Sequence, residues 1–496
     1  MAVVDSSFPE GLAPEEIGYY LGQPVRPQVD VPLYSAYDRS LRVIGPMGSG
    51  KTFRFLARAI RGAPGPGLFT STKPDVYELT AMARARRGPV VTFDPQGVVP
   101  GQEPLRLSPI HGAHDTQVAE LRAKAFVAGS RSGGSADEGA EFYRGQAATL
   151  LRCLLQAAAL DGASLRDVLR WARRLDDPAP RSILDHHPGA GPGWAEDLMT
   201  VISGDDRTVG NTRATLAAAL APFAHQEVID ATDVSPEKAT DLEGLLEANG
   251  SVYLLGKDSP TTSVSPLVTA IAEDILDRAE KLAYLRPARR LDPPMLVALD
   301  EAANIAPLPS LRQRVADGRG RGLCVMYFVQ GWSSAVARFG RHNAAELADF
   351  TNNVMVFGGV KDPDFLRDME ALCGKRRVLK TSSTSSRGRS EQGTRSVSED
   401  LEPVMQSWEI GQLDRDRGHA LLLAGDLPPV ITSLPLLSED PDWPQISEEV
   451  AQIRAHANTA ASRLATARRR EHEEHHAAWE ARNGGPVGLS KGSDRR

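Results

Sequence analysis

The chain has 496 residues, which is enough for two or three domains with sizeable cores. Hydrophobic residues make up 41% and charged residues 24%, as in an ordinary soluble globular protein, and the net charge of -7 excludes a globally basic nucleic-acid-binding surface. Any DNA contact must therefore come from local basic patches.

The cysteines and the hydropathy pattern indicate a reduced, soluble protein. Cys153, Cys324 and Cys373 are widely spaced without a C-x-x-C motif, so they indicate thiols of a cytosolic protein and not a disulfide or metal framework. No apolar run approaches the ~18 residues that a membrane-spanning helix needs. The first residues, MAVVDSSFPEG, carry no signal-peptide pattern.

The first segment is predicted to be an arm that packs on the core. It is rich in proline, glycine and acidic residues, with Tyr19, Tyr20 and Leu21 as anchors. We assign residues 1–34 to this arm.

The next segment is a phosphate-binding loop. A short apolar strand (Leu41 to Ile44) leads into GPMGSGKT, which matches G-x-x-x-x-G-K-[ST] at every fixed position, and a helix is predicted from Thr52. Backbone N–H groups of such a loop face the phosphates, Lys51 reaches the β- and γ-phosphates, and the Thr52 hydroxyl can ligate Mg²⁺. The helix dipole also favours the anion. The predicted nucleotide-binding residues are Gly45, Gly48, Ser49, Gly50, Lys51 and Thr52.

A strand at 68–71, a helix at 76–86 and a strand at 89–93 follow, which is the pattern of a parallel sheet with right-handed crossovers. Ligands bind such sheets at the carboxyl ends of the strands. Lys73, Asp75 and Asp94 are expected at that edge.

From 111 to 235 the pattern changes to consecutive helices, with apolar residues at helical spacing and no strand signal. Helices are predicted at 118–128, 141–160, 165–174, 194–202 and 212–223. This segment is interpreted as an all-α domain inserted into the α/β domain. Asp185-His186-His187 allows a metal interpretation, but a solvated turn is favoured because no third ligand has a suitable spacing.

The sheet resumes with strands predicted at 251–255, 295–299, 323–329, 354–357 and 419–423. Asp300 ends the second of these apolar strands and is predicted to hold Mg²⁺, while Glu301 is placed to orient and polarise an attacking water. With the upstream loop, this pair predicts a nucleoside-triphosphate hydrolase.

The loop DGRGRG and the strand after it add two candidates. Gln330, at the end of that strand, is predicted to contact the γ-phosphate, with a simple strand-end cap as the alternative. Arg319 and Arg321 are expected in a glycine-flanked loop that presents a guanidinium outward, to a neighbouring subunit's nucleotide.

Two charged segments complete the chain. Residues 375–398 carry seven lysines and arginines against one glutamate, which indicates a flexible surface hairpin and the best local candidate for phosphate-backbone contact. Residues 447–482 are predicted to form a charged helix, followed by a disordered tail.

The order of these motifs resembles the type IV secretion coupling proteins, the TraG/TraD-like conjugative DNA-transfer ATPases of the FtsK/HerA motor superfamily. The resemblance covers about residues 35–435. It depends on GPMGSGKT, TSTKPD, SVYLLGKDSPTTSVSP, LDEAANI, GRGRG, FVQ, the Asn352-Asn353 strand with the Leu372-Cys373-Gly374 turn, and GHALLLAGDLPPV.

This resemblance implies an α/β fold: a RecA-like P-loop NTPase core with a mostly parallel sheet and an inserted all-α domain. It further implies ATP and Mg²⁺ as ligands, a homohexamer, single-stranded DNA, relaxase and secretion-channel partners, and a place at the inner face of the cell membrane. Family members usually carry N-terminal transmembrane helices, which this chain lacks. It is therefore expected to be a soluble member or a piece of a longer protein.

The predicted organisation is an arm (1–34), a nucleotide-binding domain in two parts (35–110 and 236–440), the all-α insertion (111–235) and a charged tail (441–496). The leading function is an ATP-driven DNA translocase or substrate-delivery protein of a conjugation system. The alternatives are a double-stranded DNA pump of the FtsK type, a recruitment adaptor in which ATP only shapes the ring, and, more remotely, a metabolite kinase. Intact Lys51, Asp300 and Glu301 argue against a degenerate site.

Overall fold

The computed structural model describes residues 14–28, 30–130, 138–257, 263–384, 394–425 and 427–483. Its strands are β1 (Gly18–Arg26), β2 (Leu33–Ala36), β3 (Leu41–Ile44), β4 (Gly67–Ser71), β5 (Val90–Phe93), β6 (Ser251–Leu255), β7 (Met295–Leu299), β8 (Leu323–Val329), β9 (Asn353–Phe357), β10 (Lys375–Thr384), β11 (Thr394–Pro403), β12 (His419–Ala424) and β13 (Val430–Ser433).

The helices are α1 (Pro14–Ile17), α2 (Ala57–Gly62), α3 (Asp75–Ala85), α4 (Thr116–Gly129), α5 (Glu138–Asp161), α6 (Leu165–Arg173), α7 (Ala179–His186), α8 (Trp194–Ile202), α9 (Asp206–Ala219), α10 (Gln226–Thr232), α11 (Leu242–Glu247), α12 (Ser265–Leu285), α13 (Leu311–Arg321), α14 (Trp332–Phe339), α15 (Arg341–Phe350), α16 (Pro363–Cys373), α17 (Ser407–Gly411) and α18 (Trp443–Asn483). A π-helical turn (Thr52–Leu56) precedes α2, and short 3-10 turns lie at 221–224, 236–238 and 437–439.

The main sheet has the strand order β2-β1-β13-β12-β9-β3-β8-β7-β4-β6-β5. The seven strands from β9 to β5 are parallel, whereas β12, β13, β1 and β2 join them in antiparallel pairs. Strands β3, β7 and β8 are buried along their whole length, which explains the continuous apolar sequences of β7 and β8. The predicted α/β class with a mostly parallel sheet is confirmed.

The N-terminal segment differs from the expected arm. Residues 18–26 and 33–36 are strands β1 and β2 of the main sheet, and β1 pairs with β13. The anchors Tyr19 and Leu21 are fully buried. Gly22 and Pro24 interrupt the strand pattern in the sequence, so pairing of β1 with a strand more than 400 residues away was not predictable. Residues 1–13 of the expected arm lie outside the described part.

Between β5 and β6 the described residues hold helices α4 to α11 and no strand. Helix α4 is tied to α12 of the core by a buried ion pair, Arg122 Nη2 to Asp274 Oδ1 at 2.7 Å. His186 ends α7, a helix that the sequence did not predict, and its Nδ1 lies 2.8 Å from the Ser182 carbonyl oxygen. Among the described residues no group of three potential metal ligands comes together. The domain boundaries stay a prediction.

The basic segment 375–398 contributes to a two-stranded sheet, β10 paired with β11, outside the main sheet. Residues 385–393 of this segment, residues 258–262 of SVYLLGKDSPTTSVSP, Asp426 of GHALLLAGDLPPV and the tail after 483 lie outside the described part. No helix in the described ranges is long and apolar enough to cross a membrane.

Candidate nucleotide-binding site

The predicted phosphate-binding loop, residues 45–52, lies at the carboxyl end of β3, in the middle of the sheet between β8 and β9. Gly48 and Gly50 have φ angles of +71° and +83°, which L side chains rarely adopt, so glycine is needed at both positions. The chain then enters the π-helical turn at Thr52, a feature that often marks functional sites. Sequence spacing therefore placed the loop and its exit helix correctly.

Two polar groups of this loop indicate that it can take an anion. The Lys51 ammonium donates hydrogen bonds to the carbonyl oxygens of Gly45 and, at 3.3 Å, Pro46. Burial lowers the pKa of Lys51, and the nearby Asp300 and Glu301 oppose this shift. The Ser49 hydroxyl is buried without a hydrogen-bond partner among the described residues. A phosphate chain would give both groups anionic partners.

Asp300 follows β7, which is separated from the loop strand β3 by β8 alone. Its backbone oxygen accepts a hydrogen bond from Thr70 Oγ1 at 3.1 Å, and Ser71 Oγ lies 3.5 Å from Asp300 Oδ2. Burial raises the pKa of Asp300 from 3.8 to about 7, with a further contribution from Glu301, while Lys51 opposes the rise. Burial makes the ionised form of this carboxylate unfavourable, and a bound divalent cation would stabilise that form.

Glu301 and Gln330 meet at the same edge of the sheet. Gln330 Nε2 donates a hydrogen bond to Glu301 Oε1 at 3.0 Å. Glu301 has a φ of +53°, an uncommon conformation for a non-glycine residue that is often found at functional sites. The structure thus places Gln330 on Glu301, whereas its contact with a γ-phosphate stays a prediction.

Of the three polar residues expected at this edge, two lie near Asp300 and one does not. Lys73 and Asp75 interact electrostatically with Asp300. Asp94 instead accepts hydrogen bonds from the Val98 and Val99 backbone N–H groups, both at 2.7 Å. It directly follows β5, an edge strand of the sheet, so it stabilises its own turn and is too far along the sheet to join the site.

Arg319 and Arg321 lie on helix α13 and not in a loop, which corrects the prediction. The helix continues through Gly318 and Gly320 to Arg321, and Gly322 caps it with a φ of +72°, which is typical of a helix C-terminus. Arg319 Nε donates to Asp38 Oδ2 at 3.0 Å, with 65% of the arginine side chain exposed. The Arg321 guanidinium stacks on the Tyr284 ring at 4.1 Å.

This placement puts Arg319 at the amino ends of the parallel strands, whereas its own phosphate loop lies at their carboxyl ends. Asp38 precedes β3 and the loop follows it, so the two lie at opposite ends of that strand. The four residues of β3 alone span about 13 Å. Arg319 therefore belongs to a different edge of the molecule from Lys51.

One residue beside the loop was missed in the sequence. Arg415, in the segment between α17 and β12, donates from Nη2 to the Gly48 carbonyl oxygen at 2.8 Å and lies 3.4 Å from that of Met47. It stands in LDRDRG, where alternating charges look like an ordinary exposed turn. No local signal distinguishes it.

The comparisons with known proteins agree with this architecture. Residues 294–415 match the family model described as the TraM recognition site of TraD and TraG. The bacterial conjugative coupling protein TrwBdeltaN70, in its unbound monoclinic form, has a TM-score of 0.62 and 19% identity over 83% of this chain and 89% of that one.

TrwB in complex with ADP and Mg²⁺ has a TM-score of 0.60 and 18% identity, over 82% of this chain and 88% of that one. TrwB with the non-hydrolysable GTP analogue GDPNP gives 0.60 and 20%, with the same coverage. No curated protein matches the chain in sequence. The match over residues 294–415 and the shared fold confirm that this chain resembles the TraG/TraD-like conjugative coupling proteins.

Proposed function

We propose that this protein is an ATP-hydrolysing coupling protein of a conjugative DNA-transfer system. The observation that carries the proposal is the convergence of Lys51, Asp300, Glu301 and Gln330 at one edge of a sheet with the TrwB fold. The solved TrwB complexes with ADP and Mg²⁺, and with nucleotide analogues, support ATP and Mg²⁺ as its ligands.

In this proposal each residue has a separate task. The loop N–H groups and Lys51 bind the phosphates, and Thr52 and Asp300 hold the Mg²⁺ ion, which neutralises phosphate charge. Glu301 orients the attacking water, and Gln330 fixes the Glu301 carboxylate through their hydrogen bond. Arg319 is assigned to the nucleotide of the neighbouring subunit.

The partners are proposals as well. The family description over residues 294–415 supports a protein-recognition role for that region, here toward relaxosome proteins. Single-stranded DNA bound without sequence preference, channel components of the secretion system and a homohexameric ring complete the proposed assembly. Its place would be cytoplasmic, at the inner face of the membrane through these partners. We retain the division into a two-part nucleotide-binding domain, an all-α insertion and a tail, and add β1 and β2 of the expected arm to the main sheet of the nucleotide-binding domain.

The test is the rate of ATP hydrolysis measured without DNA, with single-stranded DNA and with duplex DNA, using Lys51→Ala as the inactive reference. Stimulation by single-stranded DNA is expected. Stimulation by duplex DNA alone would indicate a pump of the FtsK type, and a rate indifferent to both would indicate a recruitment adaptor. No hydrolysis by the wild-type protein under any of these conditions would contradict the ATPase assignment.

A further inference from the structure

The outer side of the phosphate loop is in contact with the segment 412–418, which joins α17 to β12. From this segment Arg415 donates to the Gly48 carbonyl oxygen. In return Arg54, which follows the loop in the π-helical turn, donates from Nη2 to the Asp416 carbonyl oxygen at 2.7 Å and from Nη1 to that of Leu434 at 2.6 Å. Because Arg54 is buried, this second contact holds the backbone beside Arg415 in place.

Two glycines after β9 allow the segment to come this close. A Cβ atom on Gly358 would lie 2.0 Å from the Leu413 carbonyl oxygen. At Gly359, where φ is +94°, a Cβ atom would lie 3.2 Å from Pro46 Cγ and 3.3 Å from Arg415 Cδ. The Gly359 N–H also donates to the Gly411 carbonyl oxygen at 2.9 Å. The contact between Arg415 and the phosphate loop is therefore supported by the packing around it.

The chemistry of this contact concerns one peptide group. The Gly48 carbonyl, which accepts from the guanidinium, shares its peptide unit with the Ser49 N–H. In this structure that N–H donates to the Pro46 carbonyl oxygen at 3.2 Å, and in a phosphate-binding loop such groups turn toward the ligand. A cation on the carbonyl side polarises the unit and makes the N–H a stronger donor. Arginine suits this place because it stays charged and presents several donors in a fixed plane.

We propose that Arg415 is a positioning residue that orients and polarises the phosphate loop for the polyphosphate chain of the nucleotide; this rests on the proposed function of the site. Arg415 acts from outside the loop, through the Gly48–Ser49 peptide. Its loss weakens nucleotide binding while Lys51, Asp300 and Glu301 still act on the nucleotide that is bound.

The neighbouring Arg417 provides a matched control. It lies in the same segment, its side chain is 77% exposed, and it is 3.6 Å from Asp414. Replacing it by alanine removes an equal charge at two residues' distance without touching the loop. Arg415→Lys keeps the charge but loses the planar set of donors.

The experiment is calorimetric titration with ADP and Mg²⁺, followed by turnover at saturating ATP. We expect Arg415→Ala to raise the dissociation constant of ADP about tenfold, Arg415→Lys to raise it less, and Arg417→Ala to leave it unchanged. Binding stoichiometry should stay the same, and kcat should stay within about twofold of the wild type, unlike the loss expected for Lys51→Ala.

Equal dissociation constants for the wild type and Arg415→Ala would overturn the role of Arg415 but leave the proposed function of the site intact. Reduced stoichiometry with an unchanged dissociation constant would also overturn it, because that result indicates partial unfolding. Absence of ADP binding by the wild type would overturn the proposed function and, with it, the role of Arg415.

Discussion

Asp300 makes the stability of the nucleotide-free protein depend on pH. Its folded-state pKa of about 7 lies above its ordinary value of 3.8. The folded state therefore favours the protonated acid, and this contribution to stability is present at low pH and is lost as pH rises toward 7. From pH 5.5 to pH 8 the loss attributable to Asp300 amounts to about 2 kcal/mol.

The Asp300→Asn variant tests this prediction, because the amide has no charge to bury. In EDTA, thermal unfolding of both proteins should show that the advantage of the variant over the wild type is larger at pH 8 than at pH 5.5. An advantage of equal size at both pH values would show that Asp300 is not the titrating group.

Lys51 and Glu301 should fail in different ways. Lys51→Ala is expected to abolish nucleotide turnover because the lysine stabilises phosphate charge. Glu301→Gln is expected to bind nucleotide without hydrolysing it, because only the orientation of the water is affected. Turnover by Glu301→Gln near the wild-type rate, measured as phosphate release, would refute the assignment of Glu301.

At the scale of single residues, the sequence was most informative where the chemistry requires local spacing. Gly45 to Thr52 is a contiguous motif, and Asp300 ends a recognisable apolar strand. Arg415 could not be found in this way, since its contact with Gly48 joins residues 367 positions apart. The residue type of Glu301 likewise gives no sign of its positive φ of +53°.

The hairpin β10–β11 shows how pairing changes the charge of an element. The basic residues of β10 face an acidic strand: Lys380 lies 3.1 Å from Asp400 and 3.0 Å from Glu402, and Arg377 lies 3.4 Å from Glu399. The sequence window that ended at Ser398 excluded these carboxylates. The described part of the hairpin is therefore less basic than the prediction assumed.

If this hairpin contacts DNA, its free cations should matter more than its paired ones. Arg376 is exposed and has no ion pair among the described residues, whereas Lys380 has two. Binding of single-stranded DNA should weaken steeply with salt, and Arg376→Ala should lower the salt slope by about one. Lys380→Ala should change it less. A DNA affinity that is indifferent to salt in the wild type would contradict an electrostatic grip.

Helix α18 has two parts with different energetic weight. Ile446 and Val450 are buried in a small cluster with Ala57, Leu79 and Leu437, and Glu449 pairs with Arg61 and Arg86 at 3.1 and 2.7 Å. Farther along, Leu464 is 50% exposed.

Replacing one apolar side chain by alanine in each part of α18 should therefore reduce stability by unequal amounts. Ile446→Ala is expected to destabilise the protein by about 2–4 kcal/mol, and Leu464→Ala by less than about 0.5 kcal/mol. Denaturant unfolding of the two variants measures this difference. Equal losses would show that the distal half of α18 is also packed.

Elements with a clear apolar pattern were predicted well, and elements whose structure depends on partners distant in the sequence were not. The fully buried strands at 251–255, 295–299 and 323–329 have the predicted bounds. Helix α13 was missed because Gly318 and Gly320 weaken helix propensity, and packing of Leu311 and Val315 on the core outweighs them. Strand β1 was missed because its partner, β13, lies near the other end of the chain.

At the scale of the whole molecule, the opposite locations of Lys51 and Arg319 bear on assembly. An arginine of α13 that completes a nucleotide site cannot do so in its own chain, because α13 ends at the amino edge of the sheet and the phosphate loop lies at the carboxyl edge. A neighbouring subunit can supply it. Arg319 is the better candidate, since it is exposed on Asp38, while Arg321 is held against Tyr284.

The final prediction is that activity requires this arginine in trans. Such a residue stabilises transition-state charge and is worth ~10³–10⁵ in rate, so the monomer should be nearly inactive and specific activity should rise with protein concentration. Arg319→Ala should lose most turnover, and Arg321→Ala much less. When Arg319→Ala subunits are mixed with Glu301→Gln subunits, each inactive alone, some interfaces combine an intact Glu301 with an intact Arg319, and activity should return. If mixed rings form without any recovery, while wild-type subunits diluted with Glu301→Gln subunits keep partial activity, Arg319 does not act across the interface.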